Sequence, residues 1–423
     1  MPHPPDTPTL PLAAPSAPRY AARLAWGAAR AAADWLRSWA PPLRLRDPGA
    51  GQPRRVAFLS FVEWDGAARQ RPHHLARRMP ESWRVAYISA LRIHHAARSG
   101  RFAASPSGLP SLRPATPLAF PFERRSALAQ SLNDRLVYAA AARALGGFRP
   151  AAVVVNSPAL ARPALALEPR VLIYDLMDEM TSGPGVPARY ARAEALLFER
   201  ADWVFTGTAS LLDARRGRHP RMEFLQGGCD FEHFAQGRKE RAPFGLRAMA
   251  GPVVGFFGAL NDRLDGALLA RLAAEPAWRL ALVGPRYPGC PSLPPNAFAP
   301  GGCPYERLPD ALAAFDAAIV PYRADGPTRY VNPVKTLEYL AGGKPVVSTA
   351  LPDVERLLGQ AVWIARDAGE FIHCIREALA GGEPVRRRIE QGRAMARARS
   401  WDAPAARLAE AIEIVWREKG MGV

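Results

Sequence analysis

Lys335 and Glu338 stand three residues apart in the stretch VNPVKTLEYLAGGKPVVST, residues 331–349. The spacing predicts a helix that opens just after Pro333, stops at Gly342-Gly343 and leads into a buried strand at Pro345-Val346-Val347. A helix start carries unpaired N–H groups and the positive end of the dipole, and both attract anions. Lys335 adds a full charge in the first turn. Glu338 lies close to the same face, where a carboxylate can accept two hydrogen bonds from a diol such as ribose. The pair suits a ligand that carries both phosphate and sugar. Only four of the 56 Lys+Arg residues are lysine, and Lys335 and Lys344 are two of them. A compact ammonium is not interchangeable with a planar guanidinium. The competing reading is a solvated helix end, and for Lys344 both readings stay open.

In open α/β sheets, ligands sit beyond the carboxyl ends of the strands, which selects further candidates. Gly258 directly follows the run PVVGFF, and a glycine there lets phosphate approach the backbone. Arg263 follows in the same loop, either gripping phosphate bidentately or pairing with Asp262 or Asp265. Val283-Gly284-Pro285-Arg286 ends another strand, as a simple turn or as part of a base pocket. Asp175 ends the run VLIYD, and Asp178 and Glu179 follow it. A carboxylate there can act as a base or steady positive charge on a sugar ring; Asp178 is the candidate for that role and Asp175 for a structural one. Arg71 and His73 stand at the start of a predicted helix, RPHHLARRM, where phosphate would meet unpaired N–H groups. The adjacent His73 and His74 lack the i,i+4 spacing of metal ligands, and His74 reads as a capping or packing residue. No metal site is expected.

The elements that must position these residues form two β/α series. The first begins at Arg54 with RRVAFLSF, and its later strands are read at residues 83–89, 152–156, 171–175 and 202–206. Residues 93–122 read as loop. The second has strands at 252–257, 278–283, 317–321 and 345–348. It closes with a helix after Trp401, for which Asp402 is the expected N-cap. Alternation of strand and helix predicts parallel sheets. Residues 1–18 read as disordered. Residues 20–46 read as an Ala-rich basic helix with Trp26, Trp35 and Trp39, broken at Pro41-Pro42. It is an anchor on an anionic membrane surface through residues 19–46, an extra helix packed on the fold, or a segment that never orders.

The pattern P-x-K-x-x-E-Y-L-A resembles the donor half of GT-B glycosyltransferases of the group 1, or GT4-like, family. QRPHHLA at residues 70–76 is similar to bacterial members that build surface polysaccharide or teichuronic acid. This resemblance covers about residues 54–416. It implies an α/β GT-B architecture: two Rossmann-like domains facing a cleft, with a last helix crossing back to the first domain. The boundaries it implies are 1–50 for the basic extension, 51–245 for the acceptor domain, 246–400 for the nucleotide-sugar domain and 401–423 for the crossover helix. It assigns Gly258, Arg263, Lys335, Glu338, Tyr330 and Asn332 to the donor, and Trp64, Arg71 and Asp175 to the acceptor side. His73 and Asp178 are its catalytic candidates. Family members often carry an acid eight positions before the helical Glu; Tyr330 occupies that position here.

Bulk composition agrees with this reading. The 423 residues suffice for two domains. The net charge of +17 favours an anionic partner. The basic residues are spread along the chain without a nucleic-acid signature, so no nucleic acid is expected. Cys229, Cys290, Cys303 and Cys374 make no CxxC, and a reduced, cytoplasmic protein is the default. The expectation is a glycosyltransferase, leaning to retention. It would move a sugar from a UDP- or GDP-sugar to a hydroxyl of a glycan or lipid-linked acceptor, with no cofactor, in cell-surface polysaccharide biosynthesis on the inner membrane face. The alternatives are a non-catalytic GT-B subunit or scaffold, and a nucleotide-sugar epimerase or hydrolase.

Overall fold

The computed structural model describes residues 16–38, 45–49, 51–66, 69–183 and 185–421. Of the disorder expected for residues 1–18, residues 1–15 lie outside them, as do Trp39 and the break at Pro41-Pro42, whereas Ala17 and Pro18 belong to the first turn of a helix. The chain opens with α1 (Ala17–Ser38), β1 (Arg55–Ser60), α2 (Arg71–Arg77), β2 (Arg84–Ser89), β3 (Leu91–Arg92) and α3 (Ile93–Ser99). Then come β4 (Leu112–Ala115), β5 (Leu118–Ala119), α4 (Ala127–Ala144), β6 (Ala152–Val155) and α5 (Ala161–Ala166). The middle holds β7 (Val171–Leu176), α6 (Ala188–Arg200), β8 (Trp203–Thr206), α7 (Ala209–Ala214), β9 (Met222–Phe224) and α8 (Phe231–Ala235). Next are β10 (Val253–Phe257), α9 (Gly266–Ala274), β11 (Arg279–Val283), β12 (Phe298–Gly301), α10 (Leu308–Ala313) and β13 (Ala317–Val320). The last are α11 (Val334–Ala341), β14 (Val346–Thr349), α12 (Pro352–Leu358), β15 (Val362–Ala365), α13 (Ala368–Ala380), α14 (Gly382–Arg397) and α15 (Asp402–Glu418).

The chain divides into two compact units. The first takes residues 1–65, 81–155 and 159–170. Its strands run parallel in the order β4-β2-β1-β6. AVVV in β6 is buried throughout, as parallel strands covered on both faces require. Residues 93–122, read as loop, in fact hold α3, β4 and β5. The reason is their brevity: β5 is two residues, and β4 is an edge strand, which tolerates its Pro114. α1 packs on α3 and α4. Its Ala31 is buried among Leu91, Ile93, Ala96 and Leu118. Gly27 admits the close approach, since a Cβ there would come within 3.0 Å of Ile93. Of the three readings of the basic helix, the packed one describes its inner face.

The second unit takes residues 66–80, 156–158 and 171–423. It contains parallel β7-β8-β9 and a parallel six-stranded sheet ordered β12-β11-β10-β13-β14-β15. Phe256, Phe315, Tyr339 and Phe371 fill its core with almost no exposure. α15 returns to pack on α2 and β7. Its N-cap is Trp401 and not Asp402. Asp402 is the first helical residue, and its carboxylate instead accepts from Arg78 Nε at 2.9 Å.

Candidate functional site

The carboxyl ends of β10, β11 and β13 are braided together. Gly258 N–H donates to the Val283 carbonyl at 2.9 Å, Leu260 to Pro285 at 2.9 Å, and Arg323 to Arg263 at 2.9 Å. Gly258 has φ +139, and a Cβ on it would lie 2.7 Å from Lys335 Nζ. A Cβ on Gly284 would strike the Gly258 carbonyl at 1.7 Å. Glycine is thus required at both positions, by backbone conformation at the first and by close packing against backbone at the second. The turn at Gly284 belongs to this cradle.

α11 delivers Lys335 and Glu338 to it. No side chain caps the start of the helix. Lys335 Nζ donates to the Tyr322 hydroxyl. It also sits 4.7 Å from the Phe256 ring centroid and 4.8 Å from that of Tyr322, a cation–π seat that holds the ammonium against Gly258. Glu338 is only 7% exposed, and among the described residues no donor reaches its carboxylate. Burial pushes it up to about 8, against the pull of Lys335 and with a further push from Asp230. A buried, unpartnered carboxylate is costly, which is reasonable where a ligand supplies the missing donors.

Arg263 pairs with neither Asp262 nor Asp265. Its guanidinium holds Asp178, whose charge raises the Arg263 pKa. Asp265 instead caps α9, accepting from Leu268 N–H at 2.9 Å. Asp178 also accepts from the Glu179 amide at 3.1 Å. Glu179 gathers Thr181, Ser182 and Arg215, so the loop that carries Asp178 is tied down. Asp178 and Arg263, read separately as base and phosphate grip, thus form one ion pair.

Arg71 and Asp175 are also joined, but deeply. They are 5% and 2% exposed. Arg71 Nε lies 3.0 Å from both Asp175 oxygens, and another of its nitrogens reaches the Leu225 carbonyl at 2.6 Å. Each occupies the other, which fixes the start of α2 to the end of β7. His73 completes a capping box with Gln70, the N-cap of α2: its Nδ1 accepts from Gln70 N–H at 3.0 Å, and the Gln70 side chain accepts from the His73 amide. His74 has the packing role, stacked on Trp401 at 4.6 Å, and burial pushes it down to about 3. Lys344 gives its ammonium to the Ala313 and Phe315 carbonyls at 2.9 and 2.6 Å, so it fastens the end of α10. Tyr330 accepts from Arg329 at 2.6 Å, and Asn332 is half-buried two residues before α11. Trp64 belongs to the first unit, its ring 5.1 Å from Tyr87.

The sequence reading missed Asp230, which influences Glu338. It accepts from Arg78 at 2.6 Å and from the Tyr305 hydroxyl at 2.7 Å. The available signal was Gly227-Gly228 just before it. A Cβ on Gly228 would lie 2.5 Å from the Ser400 backbone, so the glycines let this loop press against the entry to α15. Among the described residues, no group of His, Cys, Asp and Glu is placed to hold a metal ion, and no helix is long and apolar enough to cross a membrane.

Comparison with known proteins places this arrangement. Residues 251–381 match the family described as glycosyl transferases group 1. A protein of Bacillus subtilis (strain 168) named as a teichuronic acid biosynthesis glycosyltransferase, TuaH, is 28% identical over 177 residues. That alignment spans 39% of this chain and 44% of the relative, less than half of its length. Sucrose-phosphate synthase from Thermosynechococcus elongatus superposes with a TM-score of 0.69 at 16% identity, over 86% of this chain and 100% of that one. Anabaena HepE, solved with UDP and glucose, gives 0.64 at 16% identity, over 85% and 99%. The fold is GT-B, as the resemblance implied.

Proposed function

Taking the chain as a group 1 glycosyltransferase of the GT-B fold, we propose that it moves a hexose from a UDP- or GDP-sugar to a hydroxyl of a glycan or lipid-linked acceptor. The observation that carries this reading is Glu338, buried without a hydrogen-bond partner one helical turn from Lys335. Its two oxygens take the ribose hydroxyls. Lys335, held over Gly258, meets the diphosphate, and Arg263 turns from Asp178 to the same group. As the bond to the anomeric carbon breaks, negative charge gathers on the departing phosphate. Fixed cations there stabilise the transition state more than the ground state. Asp178, once freed, lies where it can steady the positive sugar ring or take a proton. In this scheme no metal or cofactor is required, and the anomeric configuration is retained, as the family resemblance implies.

Support for UDP comes from HepE, whose solved complexes carry UDP, glucose and UDP-glucose. Support for surface-polysaccharide synthesis comes from the name of the Bacillus relative. The peripheral membrane face in this proposal is α1, where Trp26 and Leu36 are 51% and 64% exposed and Arg30 lies 5.3 Å from the Trp26 ring. The test is product analysis with a panel of UDP- and GDP-hexoses. Transfer to an added glycan with release of nucleoside diphosphate supports the proposal. Epimerised or hydrolysed sugar without transfer, or binding with no turnover, refutes it. The latter is the outcome Tyr330 would favour if the missing acid is essential.

A further inference from the structure

The proposed transfer leaves one buried group of charges in the second unit unused. Arg215, just past α7, reaches two carboxylates. Its Nη2 lies 2.6 Å from Glu179 Oε2, and its Nε lies 3.3 Å from Oε2 of Glu194 on α6. The three side chains are only 14%, 2% and 6% exposed. Glu194 also accepts from the hydroxyl of Tyr174 on β7 at 3.3 Å. Glu179 Oε1 accepts from the Thr181 amide and hydroxyl, both at 2.8 Å, and from the Ser182 amide at 3.1 Å. Burial would raise the Glu179 carboxyl, but the bonds from Thr181 and the charge of Arg215 hold it below its ordinary value.

A buried cluster of this kind adds little net stability, because desolvation offsets its Coulombic gain. What it supplies is direction, since the chain is pinned on both sides of Asp178. Before it, the Met177 backbone rests on Gly207, where a Cβ would come within 2.8 Å of the Met177 carbonyl oxygen. After it, Glu179 is gripped by Arg215. Farther along, Gly183 has φ +107, and a Cβ there would lie 3.2 Å from Pro327 Cγ. The same loop thus ends against the short turn of residues 326–330, which closes at Tyr330. A carboxylate that must release Arg263 and then face a sugar ring acts only from a fixed backbone, because misplacement of a reacting group by about 1 Å can cost on the order of a hundredfold in rate.

We propose that Arg215 is a positioning residue for Asp178: through Glu179 and Glu194 it holds the loop in the place from which Asp178 both restrains Arg263 and meets the sugar. The assignment rests on the donor-site reading of Asp178 and Arg263, but one arm of its test needs neither turnover nor nucleotide. Arg215→Gln and Arg215→Lys are assayed for transfer and for UDP and GDP binding. The coupling between Asp178 and Arg263 is measured in urea, by a double-mutant cycle of Asp178→Asn with Arg263→Gln, in wild type and in Arg215→Gln. Arg215→Gln should lower kcat by at least about tenfold while nucleotide binds no more weakly, and Arg215→Lys should recover most of the rate. The coupling, up to about fivefold in the unfolding constant for a partly exposed pair, should largely vanish in Arg215→Gln. If Arg215→Gln does not fold, Glu179→Gln, which keeps the pair of Arg215 with Glu194, takes its place in both arms. An unchanged coupling, or a kcat that Arg215→Gln leaves intact, would overturn the proposal. Failure of wild type to bind either nucleotide would count against the donor reading alone, since the urea cycle still decides whether Arg215 places Asp178 on Arg263.

Discussion

Replacing Glu338 with Gln should change both the stability and the proton balance of the protein. Burial raises the carboxyl from 4.5 to about 8. At about 1.4 kcal/mol for each tenfold change in proton affinity, ionising it in the empty site costs at most ~5 kcal/mol. The sign follows from linkage. A group whose folded pKa is raised contributes stability that is fully present below about pH 4.5 and is lost as pH rises through about 8. Glu338→Gln lacks that loss, so its stability relative to wild type should rise by about 2–5 kcal/mol between pH 5 and 9, read by urea denaturation at each pH. Ribose binding needs the ionised form, with both oxygens accepting. At pH 7 a group titrating at about 8 is ~0.9 protonated, so nucleotide binding should release about 0.9 proton more in wild type than in the variant. Calorimetry in two buffers of different ionisation enthalpy counts those protons, and the difference between proteins cancels the proton of the phosphate. Equal proton release, or equal affinity in the two proteins, would refute the assignment of Glu338 to the ribose.

Three further outcomes are expected. Asp178→Asn should free Arg263 for phosphate, tightening UDP or GDP binding up to about fivefold, the worth of a partly exposed ion pair, while turnover falls; weaker nucleotide binding in a titration would contradict the shared-arginine scheme. Arg71→Ala should leave Asp175 buried without its partner and cost about 3–5 kcal/mol of stability, seen as a lowered urea midpoint; a loss under 1 kcal/mol would show that the pair does not hold α2. Trp26→Ala with Leu36→Ala should reduce co-sedimentation with vesicles of anionic lipid and leave the fold intact, and equal sedimentation of variant and wild type would remove α1 as the membrane face.

Long apolar strands and the α11 stretch were legible because their signals are local. Residues 253–257 and 280–283 are unbroken apolar runs between turns, and buried parallel strands read that way. The stop at Gly342-Gly343 is equally local: Gly343 has φ +68. Short edge strands were not legible. β12 reads FAPG, with a proline and a glycine in four residues, and its pairing is a property of its neighbour. The partnerships at the site were hidden for a different reason. Asp178 and Arg263 are 85 residues apart, and Arg71 and Asp175 are 104 apart. Residue type and spacing marked each of them as chemically capable, but only the folded chain shows that they neutralise one another. Asp230 had only the local signal of Gly227-Gly228, because its effect on Glu338 is electrostatic, across residues that share no motif.

The most direct test of the donor site is a calorimetric titration of wild type and Lys335→Ala with UDP, GDP, ADP and TDP. The account predicts micromolar binding of UDP or GDP by wild type and a loss of at least about tenfold in the variant, as expected for removing a charge-assisted contact to phosphate. Binding of none of the four by wild type, or equal binding by both proteins, would contradict it.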